Sequence, residues 1–269
     1  MLEIRNMKNR KLTFSENITT GAIAAITEVC VSHPLFTLKN RIQCGYPLSF
    51  KPQVLYRGVL GNATSMIPLV ALQVSISDFL IKTIAIGFEI KNEAKQFTAS
   101  FIAGVLSSII AVPTELILVQ QQRLSKNFLF TGKLCVNNYG VLKMYTGFLG
   151  TAIRTGFVSA GFLALTPQFK TQIIPFFEKE KIASLIAGGG AGLITALLSH
   201  PFDTIKTLQQ AKIAESTLSF VKTARDLFKK ESYFDFFKGF SARATRVSAA
   251  TIILAETTEA AKNHIICNF

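Results

Sequence analysis

The sequence predicts an all-α membrane protein with six transmembrane helices in three pseudo-threefold repeats and short amphipathic helices on one side of the membrane. Three observations carry that prediction. Of 269 residues, 49% are hydrophobic and only 17% charged, and the mean hydropathy is +0.37. Soluble domains carry about 25% charged residues, so the exterior is short of polar material and lipid is the implied solvent. Next, VSHPLFTLKNRIQ (31–43), AVPTELILVQQQ (111–122) and LSHPFDTIKTLQQ (198–210) share one pattern, in which a greasy stretch ends on proline and a glutamine follows nine positions later. Finally, an aromatic-x-Gly marker follows each of the three: YRG (56–58), YTG (145–147) and FKG (237–239). A second apolar segment begins at each marker.

Taken in order, the first span covers 17–43 and holds GAIAAITEVCVSHP, with Pro34 inside it; the second, 59–83, follows YRG. The third, 94–124, holds FTASFIAGVLSSIIAVP and Pro113, and the fourth, 147–171, follows YTG. The fifth, 181–211, holds IASLIAGGGAGLITALLSHP and Pro201, and the sixth, 238–262, follows FKG. A helix needs about 20 mostly apolar residues to cross a bilayer, and each span is long enough. A short amphipathic piece lies between the spans of each pair. The chain reads as one transmembrane domain over 1–269, with repeats at approximately 15–88, 92–174 and 178–265.

Each span keeps polar residues on one side, such as Arg154 and Ser159, or Arg243, Arg246 and Glu256. Charge inside a membrane faces protein or a wet cavity, so six such helices imply a bundle around water. Pro34, Pro113 and Pro201 each remove a helix hydrogen bond and kink the rod. Three equivalent kinks bring the polar residues beyond them to a common axis. Gly104, Gly188, Gly189, Gly190 and Gly192 are expected to let helices approach closely. GGGAG is not read as a phosphate loop, because no strand precedes it and no Lys-Ser/Thr follows.

These residues resemble the mitochondrial carriers, whose repeat reads Pro-x-Asp/Glu-x-x-Lys/Arg, then a glutamine, then an aromatic-Lys/Arg-Gly marker. The resemblance covers essentially the whole chain. It implies a gate on the matrix side, in which the acid of one repeat pairs with the base of the next and glutamines brace the pairs. The third repeat supplies Asp203, Lys206 and Gln210; the second keeps Glu115 and Gln122 but has Leu118 in the base's place; the first keeps Lys39 and Gln43 but has Phe36 in the acid's place. Cyclic pairing then joins Glu115 to Lys206 and Asp203 to Lys39, and sets Phe36 against Leu118. Both departures fall on one bridge, so the expected gate is two ion pairs and one apolar contact. Removing one partner of a buried pair costs about 3–5 kcal/mol, whereas replacing both with apolar groups is often neutral. The bland alternative leaves Phe36 and Leu118 facing neighbouring side chains or lipid. The outer gate is weakly written: Asp78 and Lys170 are in place, Thr258 and Pro167 stand where acids belong, and Glu259, Lys82 and Lys262 lie one residue out of register.

Counting from the markers, the equivalent even-span positions are Ser65, Arg154 and Arg246; with Thr155, Gln73 and Arg243 they form the expected substrate contacts. Arginine's fork suits carboxylate or phosphate, and Glu28 is an expected counter-charge when the site is empty. The competing reading locks the arginines in permanent ion pairs. Arg followed by a small polar residue on the fourth span is similar to carriers of keto acids and dicarboxylates, and the RRRMMM string of ADP/ATP carriers is replaced by IKTLQQ. Several cavity positives suit a polyphosphate, so nucleotide and carboxylate both stay open. The resemblance implies alternating access, in the inner mitochondrial membrane, by a protein acting as a monomer. Its expected partners are a small anionic substrate and membrane lipid, with cardiolipin a candidate, and no nucleic acid.

Other classes fit less well. The net charge is +13, but the basic clusters (KNRK, 8–11; FKK, 228–230) are shorter than the stripes of nucleic-acid readers. Cys30, Cys44, Cys135 and Cys267 show neither zinc nor disulfide spacing. MLEIRNMKNRKLTF is basic but is not read as a removable signal. No metal, cofactor or enzyme chemistry is expected: His33 and His200 precede kink prolines, and His264 lies in the tail. A non-transporting membrane protein or a helical-repeat interaction protein is the alternative; a soluble scaffold explains the period but not the low charge.

Overall fold

Six long helical segments dominate the fold in the computed structural model, which describes residues 13–43, 48–56, 58–87, 91–124, 126–177, 180–211, 219–230 and 240–267. They are α1 (Phe14–Gln43), α3 (Val59–Gly87), α4 (Asn92–Leu124), α6 (Phe148–Ala160) running on into α7 (Thr166–Ile173), α8 (Glu180–Ala211) and α10 (Phe240–Cys267). Three shorter helices, α2 (Pro52–Leu55), α5 (Phe128–Tyr139) and α9 (Phe220–Lys230), lie between the members of each pair. The described residues form no strand.

The local reasons are visible in the sequence. Thr13 and Glu16 cap the start of α1 reciprocally: the Thr13 amide donates to Glu16 Oε2 at 2.7 Å, and the Glu16 amide to Thr13 Oγ1 at 3.4 Å. This is a capping box. Pro34, Pro113 and Pro201 all lie within long helices. Two marker glycines, Gly58 and Gly147, take φ of +86° and +80°, where a side chain would be strained. The third marker glycine, Gly239, lies outside the described residues.

Between α6 and α7 the chain makes a π turn, Gly161–Leu165, that the sequence reading did not anticipate. Its cause is Pro167, which has no N–H to give the Leu163 carbonyl four residues back. Gln96 on α4 supplies the missing donor, with Nε2 at 3.0 Å from that carbonyl. The fourth span is therefore interrupted, and a neighbouring helix repairs it.

The long helices close into a ring. α1 packs on α3, α3 on α4, α4 on α6, α6 on α8, α8 on α10, and α10 returns to α1. Small residues set the approach: a Cβ on Gly104 would lie 2.5 Å from the Thr155 carbonyl oxygen, and one on Gly192 would lie 2.4 Å from Ser248 Cα. Gly189 and Gly190 have ordinary room, with nearest atoms at 3.9 and 3.8 Å. The packing role expected of GGGAG thus narrows to Gly188 and Gly192, one turn apart and facing α10.

Outward, Ile23, Val31, Ile109, Leu193 and Leu197 are exposed, an apolar belt suited to lipid. Among the described residues, five segments are long and apolar enough to cross a membrane: Ser15–Leu38, Pro52–Thr83, Asn92–Gln121, Phe148–Phe176 and Lys181–Gln210. α10 is not among them, because Arg243, Arg246, Glu256 and Glu259 dilute its apolar content. Inside the ring, Ala24, Val70, Val74, Phe162 and Leu254 form an apolar cluster bordering the cavity described next.

Candidate functional site

A cavity of about 130 Å³ occupies the middle of the ring, and residues from all six long segments line it. Its floor is ionic. Glu115 on α4 accepts hydrogen bonds from Lys206 Nζ on α8 and from an Arg154 guanidinium nitrogen on α6. Asp203 on α8 pairs with Arg243 on α10, and Arg154 Nε stands 3.8 Å from its carboxylate. Arg243 also donates to Ser199 Oγ at 2.6 Å. Asp203, Lys206 and Arg243 are 4%, 6% and 2% exposed. Charges this deep persist only when paired and hydrogen-bonded, and here each answers another across a helix boundary.

The pairing expected from the sequence is thus present for Glu115 and Lys206. The side chain of Lys39, the base expected for Asp203, lies outside the described residues, as do those of Gln43 and Gln122. Arg154 stands both in the cavity lining and in the ionic floor. Arg243, expected among the substrate contacts, does not line the cavity; it stands behind Asp203 and is consumed by it. Gln210 donates weakly to the Thr146 carbonyl at 3.5 Å. Gln120 donates to the Gln210 carbonyl at 3.1 Å and so ties α4 to α8. The sequence reading chose Gln122 by position; the triple glutamine 120–122 was the available signal that the neighbouring face also mattered.

Phe36 and Leu118 both line the cavity, so neither faces lipid. Phe36 has a further partner that spacing did not reveal: the Arg246 guanidinium lies 4.7 Å from its ring centre. The negative face of an aromatic ring attracts a cation in this geometry. Arg246 makes no ion pair or hydrogen bond with described residues, and its buried Nε meets no acceptor among them. Glu28 on α1 is 2% exposed, lines the same cavity and accepts from Ser32 Oγ at 2.6 Å.

The remaining expected contacts are uncharged. Ser65 and Thr155 line the cavity, and each donates its hydroxyl proton one turn back, to Gly61 at 2.8 Å and Thr151 at 2.7 Å. Thr155 also accepts from Arg154 at 3.2 Å. Gln73 donates to Ser107 Oγ at 3.0 Å, joining α3 to α4. His33 stacks with Phe36 and Tyr56, and His200 meets Phe240 edge-on; each serves its own proline corner.

At the opposite end, Lys170 on α7 reaches Glu259 on α10 at 2.7 Å. Asp78 pairs with Lys82 on its own helix at 2.6 Å and accepts from Asn17 of α1 at 3.3 Å. The side chain of Lys262 lies outside the described residues. Thr258, in an acid's place, is buried, and its hydroxyl bonds none of the described residues.

Comparison with known proteins gives one consistent picture. The family model described as "Mitochondrial carrier protein" matches residues 91–175 and 178–269. The chain is 27% identical to the probable mitochondrial 2-oxodicarboxylate carrier of Schizosaccharomyces pombe, over 75% of this chain and 76% of that one. It is 26% identical to mitoferrin of Dictyostelium discoideum, over 79% of each. It is 23% identical to the probable mitochondrial 2-oxodicarboxylate carrier of Dictyostelium discoideum, over 90% and 88%.

Proposed function

Because the chain belongs to the mitochondrial carrier family, whose members are multi-pass transporters of the inner mitochondrial membrane, we propose that it moves a small organic acid by alternating access. The observation that carries this reading is the pair of guanidiniums, Arg154 and Arg246, that line one central cavity. Their forked donors suit a carboxylate, and Ser65, Gln73 and Thr155 border the same cavity as uncharged polar partners. The relatives named as 2-oxodicarboxylate carriers support the same choice.

In this reading the molecule works as a monomer in lipid, built of three units at 15–88, 92–174 and 178–265. Arg154 and Arg246 receive the acid, with Ser65, Gln73 and Thr155 completing the site. Glu115, Lys206, Asp203 and Lys39 form the matrix gate, with Gln43, Gln122 and Gln210 as braces and Phe36 and Leu118 as its apolar side. A bound carboxylate takes Arg154 away from Glu115 and Asp203, and so weakens the floor from within. Substrate thereby supplies the differential binding that opening requires.

The test is exchange of labelled compounds by the purified chain in liposomes. Saturable exchange of short dicarboxylates, with nucleotides neither exchanged nor competing, is the expected result. Exchange of nucleotides alone, or of neither class, would overturn the reading.

A further inference from the structure

We propose that the transported acid also carries an ammonium group, so that the cavity is built for an amino acid and not for the keto acid of the same skeleton. This rests on the small-acid reading above and narrows it.

Most charges bordering the cavity are engaged with one another. Glu115 holds Lys206 and Arg154, and Asp203 holds Arg243. Two charges stand apart. Arg246 leans on the face of Phe36 and makes no ion pair or hydrogen bond with described residues. Glu28, 2% exposed, accepts one hydroxyl hydrogen bond and forms no ion pair with described residues. Both line one cavity, from α1 and α10, and form no ion pair with each other. The cavity therefore presents a separated cation and anion.

A substrate with carboxylates alone fits only half of that arrangement. Its carboxylate would satisfy Arg246 and leave Glu28, buried and without an ion pair among the described residues, beside a new negative charge. An α-ammonium removes the conflict: the carboxylate receives hydrogen bonds from Arg246, and the ammonium donates to Glu28. Ser65 favours the same partner. Its hydroxyl proton is already given to the Gly61 carbonyl, so its oxygen is left to accept from a donor in the cavity. Glu28 is thus assigned as the specificity-determining residue, and Phe36 positions Arg246.

The experiment uses the full chain in liposomes and compares matched pairs: L-glutamate with 2-oxoglutarate, and L-2-aminoadipate with 2-oxoadipate. The parent protein is expected to show a KM at least about tenfold lower for the amino member, the scale of one charge-assisted hydrogen bond. Glu28→Gln should abolish that ratio by raising the KM of the amino member, and Glu28→Asp should retain it. Thermal stabilisation of each detergent-solubilised variant by the same four compounds gives a second readout, independent of transport rate. Preference for the keto members, or a ratio untouched by Glu28→Gln, would overturn the proposal while leaving small-acid transport standing. Uptake of keto acids with one proton, lost in Glu28→Gln, would also overturn it, by making Glu28 a proton site. Nucleotide exchange without either acid would remove both readings.

Discussion

Ion pairs of very different character stand toward the two ends of the helical ring. At the Pro113 end, Glu115, Arg154, Lys206, Asp203 and Arg243 form one connected group spanning four helices, most of it buried. At the other end, Lys170 meets Glu259, whose side chain is 48% exposed, and Asp78 meets Lys82 on its own helix. Exposed pairs contribute about 0–1 kcal/mol, while breaking a buried pair costs about 3–5 kcal/mol. The difference teaches that the number of bridges says little about a gate's strength; what counts is how many helices one charge must satisfy, and how dry it is.

The largest expected effect follows directly. Glu115→Gln leaves Lys206 and Arg154 without their shared carboxylate, and should lower unfolding stability by about 3–5 kcal/mol and abolish exchange. Thermal unfolding in detergent and proteoliposome exchange measure the two losses. Arg243→Met alone should cost a similar amount, because Asp203 loses its closest described partner. Adding Asp203→Leu should recover most of the stability but not the transport, since replacing both charges with apolar groups is often neutral. A double variant no more stable than Arg243→Met would show that this pair is not the unit.

Packing supplies an effect of intermediate size. Gly192→Ala puts a Cβ against Ser248 backbone and should cost about 1–3 kcal/mol. Gly189→Ala, three residues away, where a Cβ would make only an ordinary contact with Ile252 at 3.9 Å, should cost little in packing and gain about 0.5–1 kcal/mol from helix propensity. Equal effects at the two glycines would contradict the helix approach described. Phe36→Leu keeps an apolar group but removes the ring beneath Arg246; about 0.5–2 kcal/mol is expected, seen as a raised KM with rescue by Phe36→Tyr. The smallest effect belongs to the exposed end, where Lys170→Met should change stability by under about 1 kcal/mol.

These contrasts also mark what the sequence made legible. Hydrophobic runs and recurring prolines located all six long segments within a few residues, because length and apolarity leave a spanning chain few alternatives. The pairing of Glu115 with Lys206 was implied by the resemblance to the mitochondrial carriers, carried over position by position. Register did not reveal Phe36 under Arg246, Arg243 behind Asp203, or Gln120 on the Gln210 carbonyl. Such contacts depend on how far helices rotate and which rotamers long side chains adopt, and one-dimensional spacing does not encode either. The π turn at Gly161–Leu165 was hidden for a related reason: Pro167 announces a freed carbonyl, but only the packed neighbour shows that Gln96 fills it.

The central claim is that the Glu115–Lys206 bond closes one end of a cavity holding Ser65. It is tested most directly by thiol accessibility. In a chain with Cys30, Cys44, Cys135 and Cys267 replaced, Ser65→Cys is exposed to a membrane-impermeant maleimide from each side of oriented liposomes, with and without Lys206→Gln. Arg154 still holds Glu115 in that variant, so the fold is retained. The account predicts slow labelling from both sides in the parent, and faster labelling from the Pro113 side alone once Lys206 is changed. Labelling that stays slow, or that rises from the opposite side, would contradict it.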